Sequence, residues 1–216
     1  VTGVQTCALP IFSPAQHLAR YQGSDMRWLH TVDIRERYGY VTYADPQRTL
    51  PFLRWLFTRA WLGTERPSLL FERAVNWLRA EKVLLPGIST LERDVARVRD
   101  RASERLWRLL ARDLTTAQRQ QLDALLVVVP GEQITPFEQI RKLPSTPSSQ
   151  GLLDALEHLS SIRNLPLTPA LPRRLPLSRL HALARVALTA KAQTIARMAD
   201  TRRAATMRAA LHILVA

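Results

Sequence analysis

Three arginines repeat at every fourth position in the middle of the chain, behind two hydroxyl residues. Ser89 and Thr90 come first, and Arg93, Arg97 and Arg101 follow. Residues spaced by four lie on one face of an α-helix. Arginine is always charged, and its planar guanidinium can bind phosphate or donate to the edge of guanine. The pattern predicts a phosphate-binding helix face, although the solvated face of an ordinary amphipathic helix has the same spacing.

The helix that carries these arginines is expected to be the second half of a helix-turn-helix-like unit. A first helix is predicted over 67–82, and the turn would contain Pro86-Gly87. Ser89-Thr90-Leu91-Glu92 has the pattern of a capping box, in which Ser89 would cap the second helix. The backbone N–H groups at the start of such a helix also attract phosphate. The predicted turn exceeds the usual length, so the match to the motif is loose.

A second basic face is predicted nearer the start of the chain. Arg35 and Arg37 lead directly into Tyr38-Gly39-Tyr40. Aromatic rings beside arginine could stack against a ligand or fill a groove. Aromatic core residues next to a turn would give the same pattern, so both interpretations stay open.

Residue types that support catalysis or metal binding form no recognisable constellation. The five histidines have neither HExxH nor HxxxH spacing, and the chain has no glycine-rich phosphate loop. Acidic residues in the predicted helices mostly have arginine three or four residues away, which is typical of solvated ion pairs. We therefore predict no catalytic residue, no metal site and no cofactor for this chain.

The charge balance favours an anionic macromolecular partner. Lys plus Arg number 31 against 18 acidic residues, which gives a net charge of +13, and only three of the bases are lysine. A GC-rich genome explains the choice of arginine over lysine, but it does not explain the excess of bases over acids. The excess is largest over 141–216, with twelve basic and three acidic residues. Nucleic acid is the predicted partner, and a merely solvated basic surface is the alternative.

Capping signals and apolar spacing predict an all-α fold. The clearest stripe consists of Leu91, Val95, Val98, Ala102, Leu106 and Leu109. The apolar run 125–129 is interpreted as the end of a helix capped at Thr115. A short helix is predicted to open at Ser13, and a capping box at Thr135 predicts another short helix. Helices are also predicted near 24–38, 46–61, 151–164, 177–198 and 201–214. Proline-rich linkers at 144–149 and 165–176 suggest helical units over 12–63, 64–143 and 144–216.

The first eleven residues, VTGVQTCALPI, are interpreted as an artefact. They are similar to the in-frame translation of a sequencing-adapter oligonucleotide, so residues 1–11 are expected to be disordered and foreign. Cys7 lies among them, so the natural part would contain no cysteine. The natural amino terminus would then be missing. No apolar run is long enough to span a bilayer and no secretory leader is recognisable, so a cytoplasmic location is expected.

Four stretches resemble the amino-terminal region of the Tn3-family replicative transposases. They are RWLHTVDIRERYGYVTYADP, RWLFTRAWLGTERPSLLFERAVNWL, KVLLPGISTLERDVARVRDRASERLWRLL and AKAQTIARMADTRRAATMRAAL. The resemblance runs in order over nearly all of 12–216.

The resemblance implies a helical segment that recognises terminal inverted repeats in double-stranded DNA. The family's DDE carboxylates and their Mg²⁺ belong to an RNase H-like domain that this chain is expected to lack, so no catalytic residue is assigned to any acid here. The parent protein is expected to form a homodimer. A helical scaffold or dimerisation segment with an incidental basic surface is the alternative, and an RNA-binding helical protein is a weaker one.

Overall fold

The computed structural model describes residues 25–142, 148–163, 171 and 175–215, without the side chains of residues 161 and 163. This part of the chain is all-α, as predicted, with one isolated parallel bridge between Val41 and Val83. Its helices are α1 (Asp25–Tyr38), α2 (Pro46–Leu62), α3 (Pro67–Ala80), α4 (Ile88–Ala111), α5 (Thr116–Ala124), α6 (Pro136–Ile140), α7 (Ser149–Arg163), α8 (Leu177–Thr189), α9 (Ala192–Ala196) and α10 (Asp200–Val215). The short helix predicted to open at Ser13, the artefact at 1–11 and most of both linkers lie outside the described residues.

The ends of α1 and α2 are determined by local signals, as predicted. Gly39 follows α1 with φ of 69°, a left-handed conformation that glycine adopts without steric cost. The Asp45 carboxylate accepts a hydrogen bond from the N–H of Gln47, and Pro46 occupies the first turn. Gly63 ends α2 by donating its N–H to the carbonyl of Arg59.

The start of α4 differs from the prediction. Gly87 is the N-cap, with no side-chain cap, and the N–H groups of Thr90 and Leu91 both bond to its carbonyl. Ser89 therefore lies inside the first turn of α4. An N-cap residue precedes the helix, so Ser89 does not cap α4 and the predicted capping box is wrong. The preceding helix also stops at Ala80 rather than Lys82, because Lys82 adopts a φ of 53°.

Helix α4 contributes to three hydrophobic cores of the described structure. Its first half buries Leu91, Val95, Val98 and Ala102 against α2 and α3. Its second half buries Leu106 and Leu110 against α8 and α10, and its last residue, Ala111, lies in a third core built from α5 to α10. The predicted stripe is correct up to Leu106, but Leu110 is fully buried where Leu109 was expected. The buried face rotates because α10 packs against a different side of α4 than α2 and α3 do.

The part of the chain after α4 packs around α10. Both predicted capping boxes, at Thr115 and Thr135, are present. The apolar run 125–129 is not a helix end, because α5 stops at Ala124 and Val127 to Val129 are exposed. The helix predicted over 177–198 is interrupted at Ala190 and continues as the short α9.

Helix α10 is the central helix of this second half. Its residues 204–211 are buried on every side, as expected for a helix without a polar face. The domain boundaries predicted from the sequence stay a prediction.

Candidate nucleic-acid interface

The predicted arginines lie on the solvent side of α4. Arg93, Arg97 and Arg101 are exposed, Ser89 is exposed beside the start of the helix, and Thr90 is half-buried. The only ion pair among these arginines in the described structure joins Arg97 to Asp94, with 3.7 Å between Nη1 and Oδ1 and 57 % of the arginine side chain exposed. The guanidinium groups thus remain accessible to an anion.

A groove between α2 and α4 collects part of this positive charge. Arg54 from α2 lines it together with Arg97, Arg101 and Asp94 of α4, and its floor is apolar, with Leu53, Phe57 and Val98. Arg54 was not predicted from the sequence. Only the packing of α2 against α4 shows that it belongs to the same surface.

The single carboxylate in the groove has its own partner. The Tyr43 hydroxyl donates to Oδ2 of Asp94 at 2.8 Å, and only 19 % of the Asp94 side chain is exposed. Burial raises the pKa of Tyr43, and the hydrogen bond and charge of Asp94 raise it further, so the phenol stays protonated and donating. This hydrogen bond occupies Oδ2 of Asp94, while Oδ1 stays 3.7 Å from Arg97, so three arginines and one carboxylate line the groove.

The arginine row continues along α4 beyond the predicted residues. The Arg105 guanidinium lies 5.1 Å from the ring centroid of Trp61 and 5.9 Å from that of Phe57, within cation–π range. Arg105, Arg108 and Arg112 then line a second depression with Arg119 and Thr201. These positions were not predicted. Arg105, Arg108 and Arg112 follow Arg101 at successive intervals of three or four residues, and this spacing was a usable signal.

Several arginines of the carboxyl-terminal half serve the fold instead. Arg141 donates to carbonyls at the end of α8, including those of Ala187 and Leu188. Arg203 binds both carboxylate oxygens of Asp123, at 2.7 and 3.0 Å. Arg208 is 4 % exposed and donates to the carbonyl of Leu110. The basic excess over 141–216 is therefore partly internal, and Arg173 and Arg174 lie outside the described residues.

The second predicted basic face lies on α1. Arg35 and Arg37 are both exposed there, and Nε of Arg37 lies 2.5 Å from Oδ1 of Asp33. Tyr38 is exposed as well, so it is not a core residue. Neither arginine lines the groove between α2 and α4, so the described contacts do not unite the two faces.

Two structural features are absent from the described residues. No group of three histidine, cysteine or acidic residues is arranged there to hold a metal ion. Within the same residues, no helix combines the length and apolarity that crossing a bilayer requires.

Comparison with known proteins identifies the relatives of this chain. A family model described as "Domain of unknown function (DUF4158)" matches residues 8–98, starting inside the stretch interpreted as adapter. The transposase for transposon gamma-delta of Escherichia coli (strain K12) is 39 % identical over 193 residues, which cover 89 % of this chain and 19 % of that protein. The transposase for transposon Tn501 of Pseudomonas aeruginosa is 31 % identical over 146 residues, covering 68 % of this chain and 15 % of that protein.

A third relative extends the comparison. The transposase for transposon Tn1546 of Enterococcus faecium is 29 % identical over 167 residues, covering 76 % of this chain and 17 % of that protein. The chain thus spans about a fifth or less of the length of these relatives. Taken together with the all-α fold, the matches show that this chain belongs to the Tn3-family transposases, as a segment consistent with their amino-terminal part.

Proposed function

We propose that this chain binds double-stranded DNA at the terminal inverted repeats of a transposon, as the amino-terminal part of a replicative transposase. The observation that carries the proposal is the basic groove between α2 and α4, where Arg54, Arg97 and Arg101 converge on an apolar floor. The one acid in that groove, Asp94, is held by Tyr43.

The geometry of α4 suits an extended anionic partner. With 24 residues, α4 is about 36 Å long, which is close to one turn of B-form DNA. Its exposed arginines recur at about one per helical turn, so they can contact successive phosphates, and phosphate contacts position a protein on a duplex. Arg93, Arg97 and Arg101, with Ser89 and Thr90 near the start of α4, are the proposed contacts, and Arg35 and Arg37 are proposed as a second set.

The catalytic steps of transposition are assigned to parts of the parent protein outside this chain. The relatives are whole transposases, and the matched segment is a small share of each. We therefore propose that this segment holds the DNA end, while Mg²⁺ and the DDE carboxylates belong to another domain. Homodimerisation of the parent protein is proposed on the same basis.

A binding titration tests the proposal. The chain is titrated against a labelled duplex carrying the gamma-delta terminal inverted repeat, a scrambled duplex and an RNA duplex of equal length, at two salt concentrations. We expect tightest binding to the inverted repeat. The double variant Arg97→Gln, Arg101→Gln should lower the slope of log K against log salt by up to about 1.8, because each lost phosphate contact removes about 0.9.

Arg79→Gln is the matched control, since Arg79 is an exposed arginine on α3 outside the groove. Its affinity and salt slope should equal those of the unmodified chain. Equal loss in the control and the double variant would contradict a specific role for the groove. Absence of duplex binding would favour the helical scaffold, and tighter binding to RNA would favour the RNA-binding alternative.

A further inference from the structure

Two arginines meet around one serine on the other side of α4. Arg99 and Ser103 lie one turn apart on α4, and Arg179 reaches them from α8. Nη2 of Arg179 donates to Oγ of Ser103 at 3.0 Å. Arg99 precedes Ser103 by one helical turn, so the two side chains start on the same face of α4, and the hydroxyl has a proton of its own to donate.

In the described part of the chain, neither arginine forms an ion pair with a carboxylate within 4.0 Å. Nε of Arg179 is buried and has no hydrogen-bond partner there. Burial lowers the pKa of Arg179, and the positive charge of Arg99 lowers it further. Two like charges and an unsatisfied buried donor are unfavourable unless an anion compensates them.

This cluster is separate from the proposed DNA groove. Arg99 lines a different groove, between α3 and α4, with Pro67, Ser68 and Phe71. Around the axis of α4, Arg99 is about 160° away from Arg97, so the two residues lie on nearly opposite faces. Glu92 is the acid in that lining, and it lies about two turns along α4 from Arg99.

We infer that Arg99, Ser103 and Arg179 form a binding site for a phosphate group. Two guanidinium groups supply forked donors for tetrahedral oxyanions, and the serine hydroxyl adds a third direction. The phosphate could come from a nucleic-acid backbone or from free inorganic phosphate, which share this chemistry. A backbone phosphate at this site would give the chain a second contact with DNA. That source depends on the proposed function, whereas binding of free phosphate does not.

Inorganic phosphate is the probe for the site itself. The melting temperature of the chain is measured in phosphate and in chloride at equal ionic strength, for the unmodified chain, Arg99→Gln and the control Arg79→Gln. Phosphate at about ten times its Kd should raise the Tm of the unmodified chain and of Arg79→Gln by about 3 °C more than that of Arg99→Gln. General salting-out effects act on all three alike, so the difference between variants reports the site.

The melting temperatures measured in chloride alone provide a second test. In chloride, Arg99→Gln should melt at the same or a higher temperature than the unmodified chain, because it removes a like-charge repulsion. An equal phosphate response in all variants would overturn the inference, and so would a lower Tm of Arg99→Gln in chloride.

A measurement on the unmodified chain avoids any folding defect of a variant. The Nε–H resonance of Arg179 should shift when phosphate is titrated in, and a resonance that stays unmoved would overturn the site. The source is then separated with duplex DNA: Arg99→Gln should lower the salt slope by about 0.9 if a backbone phosphate binds there. An unchanged slope with a retained phosphate response assigns free phosphate, independently of whether the α2–α4 groove binds DNA.

Discussion

At the scale of single residues, arginine has three different roles in this protein. Arg97 is more than half exposed in the groove between α2 and α4. Arg202 lies 5.0 Å over the ring of Trp107, and a cation–π contact fixes the direction of its guanidinium. Arg208 is buried on the carbonyl of Leu110. The net charge of the chain therefore overstates the charge available to a partner.

Tyr43→Phe tests the restraint on Asp94. Removing the hydrogen bond to a half-buried carboxylate should lower the free energy of unfolding by about 1–3 kcal/mol at pH 7, measured by urea denaturation. The raised pKa of Tyr43 means that its contribution to stability is complete below pH 10 and is lost as the pH rises through the folded-state pKa. Between pH 10 and the folded-state pKa of Tyr43, the free energy of unfolding should fall more steeply with pH in the unmodified chain than in the variant.

The tyrosine titration provides the check on this assignment. Absorbance of tyrosinate should show one group titrating well above pH 10 in the folded chain, and Tyr43→Phe should remove that late step. Tyr38→Phe is the control, because Tyr38 is exposed. If the late step survives in Tyr43→Phe, it belongs to another tyrosine, and the raised pKa of Tyr43 is contradicted.

At the scale of elements, short helices are held by side chains that join distant segments. The Glu138 carboxylate of α6 accepts from the N–H of Thr135 at 3.2 Å and from the N–H of Ala192, at the start of α9, at 3.4 Å. It also lies 3.4 Å from Nη2 of Arg141, which in turn binds the end of α8. One carboxylate thus links α6, α8 and α9, each of which is too short to be stable alone.

Glu138→Gln should reduce stability in a pH-dependent way. The hydrogen bond from Thr135 lowers the pKa of Glu138, the N–H of Ala192 and the charge of Arg141 lower it further, and partial burial opposes them. The contribution of Glu138 is therefore present above its unfolded-state pKa of 4.5 and is lost as the pH falls through the lower folded-state pKa. Urea unfolding at pH 7 and at pH 3 should show a larger difference between the two chains at pH 7.

Glu132→Gln is the control for this prediction, because Glu132 is exposed and its carboxylate accepts only from the Gln139 side chain among the described contacts. It should leave the pH dependence nearly unchanged. An equal difference from the unmodified chain at both pH values in Glu138→Gln would mean that the charge of Glu138 has no part in holding α9.

At the scale of the whole molecule, α4 connects the three hydrophobic cores of the described structure. Its 24 residues contain neither glycine nor proline, so no position within it favours a break. The first core lies between α2, α3 and α4, and the second lies between α4, α8 and α10. The third contains the end of α4 and residues of α5 to α10. We therefore expect the described part of the protein to unfold as one cooperative unit.

Met207→Ala tests this coupling, because Met207 is fully buried in α10, in the third core. The substitution should cost about 2–5 kcal/mol, and amide hydrogen exchange should accelerate in α3 of the first core as much as in α8. Leu152→Ala removes an exposed leucine of α7 and should leave both unchanged. Faster exchange confined to α8 and α10 would show that the first core opens separately from the other two.

Local signals determined several helix ends, and these were predictable from the sequence. Asp45, Gly63, Thr115 and Thr135 act on backbone groups within one turn of themselves, so their effect needs no knowledge of the rest of the chain. The arginine face of α4 was predictable for the same reason, because the spacing of a helix places its residues on one face. The family resemblance was likewise carried by the sequence alone and is confirmed by the relatives.

Tertiary structure decided the features that depend on distant residues. Which of Leu109 and Leu110 is buried depends on where α10 packs. Whether an arginine faces solvent or a helix carbonyl depends on which chain segment lies within reach, as Arg141 and Arg208 show. Arg54 joined the groove, and Arg179 met Arg99, only through the packing of α2 and α8 on α4. Such contacts follow from the summed burial of apolar surface, which no short sequence window contains.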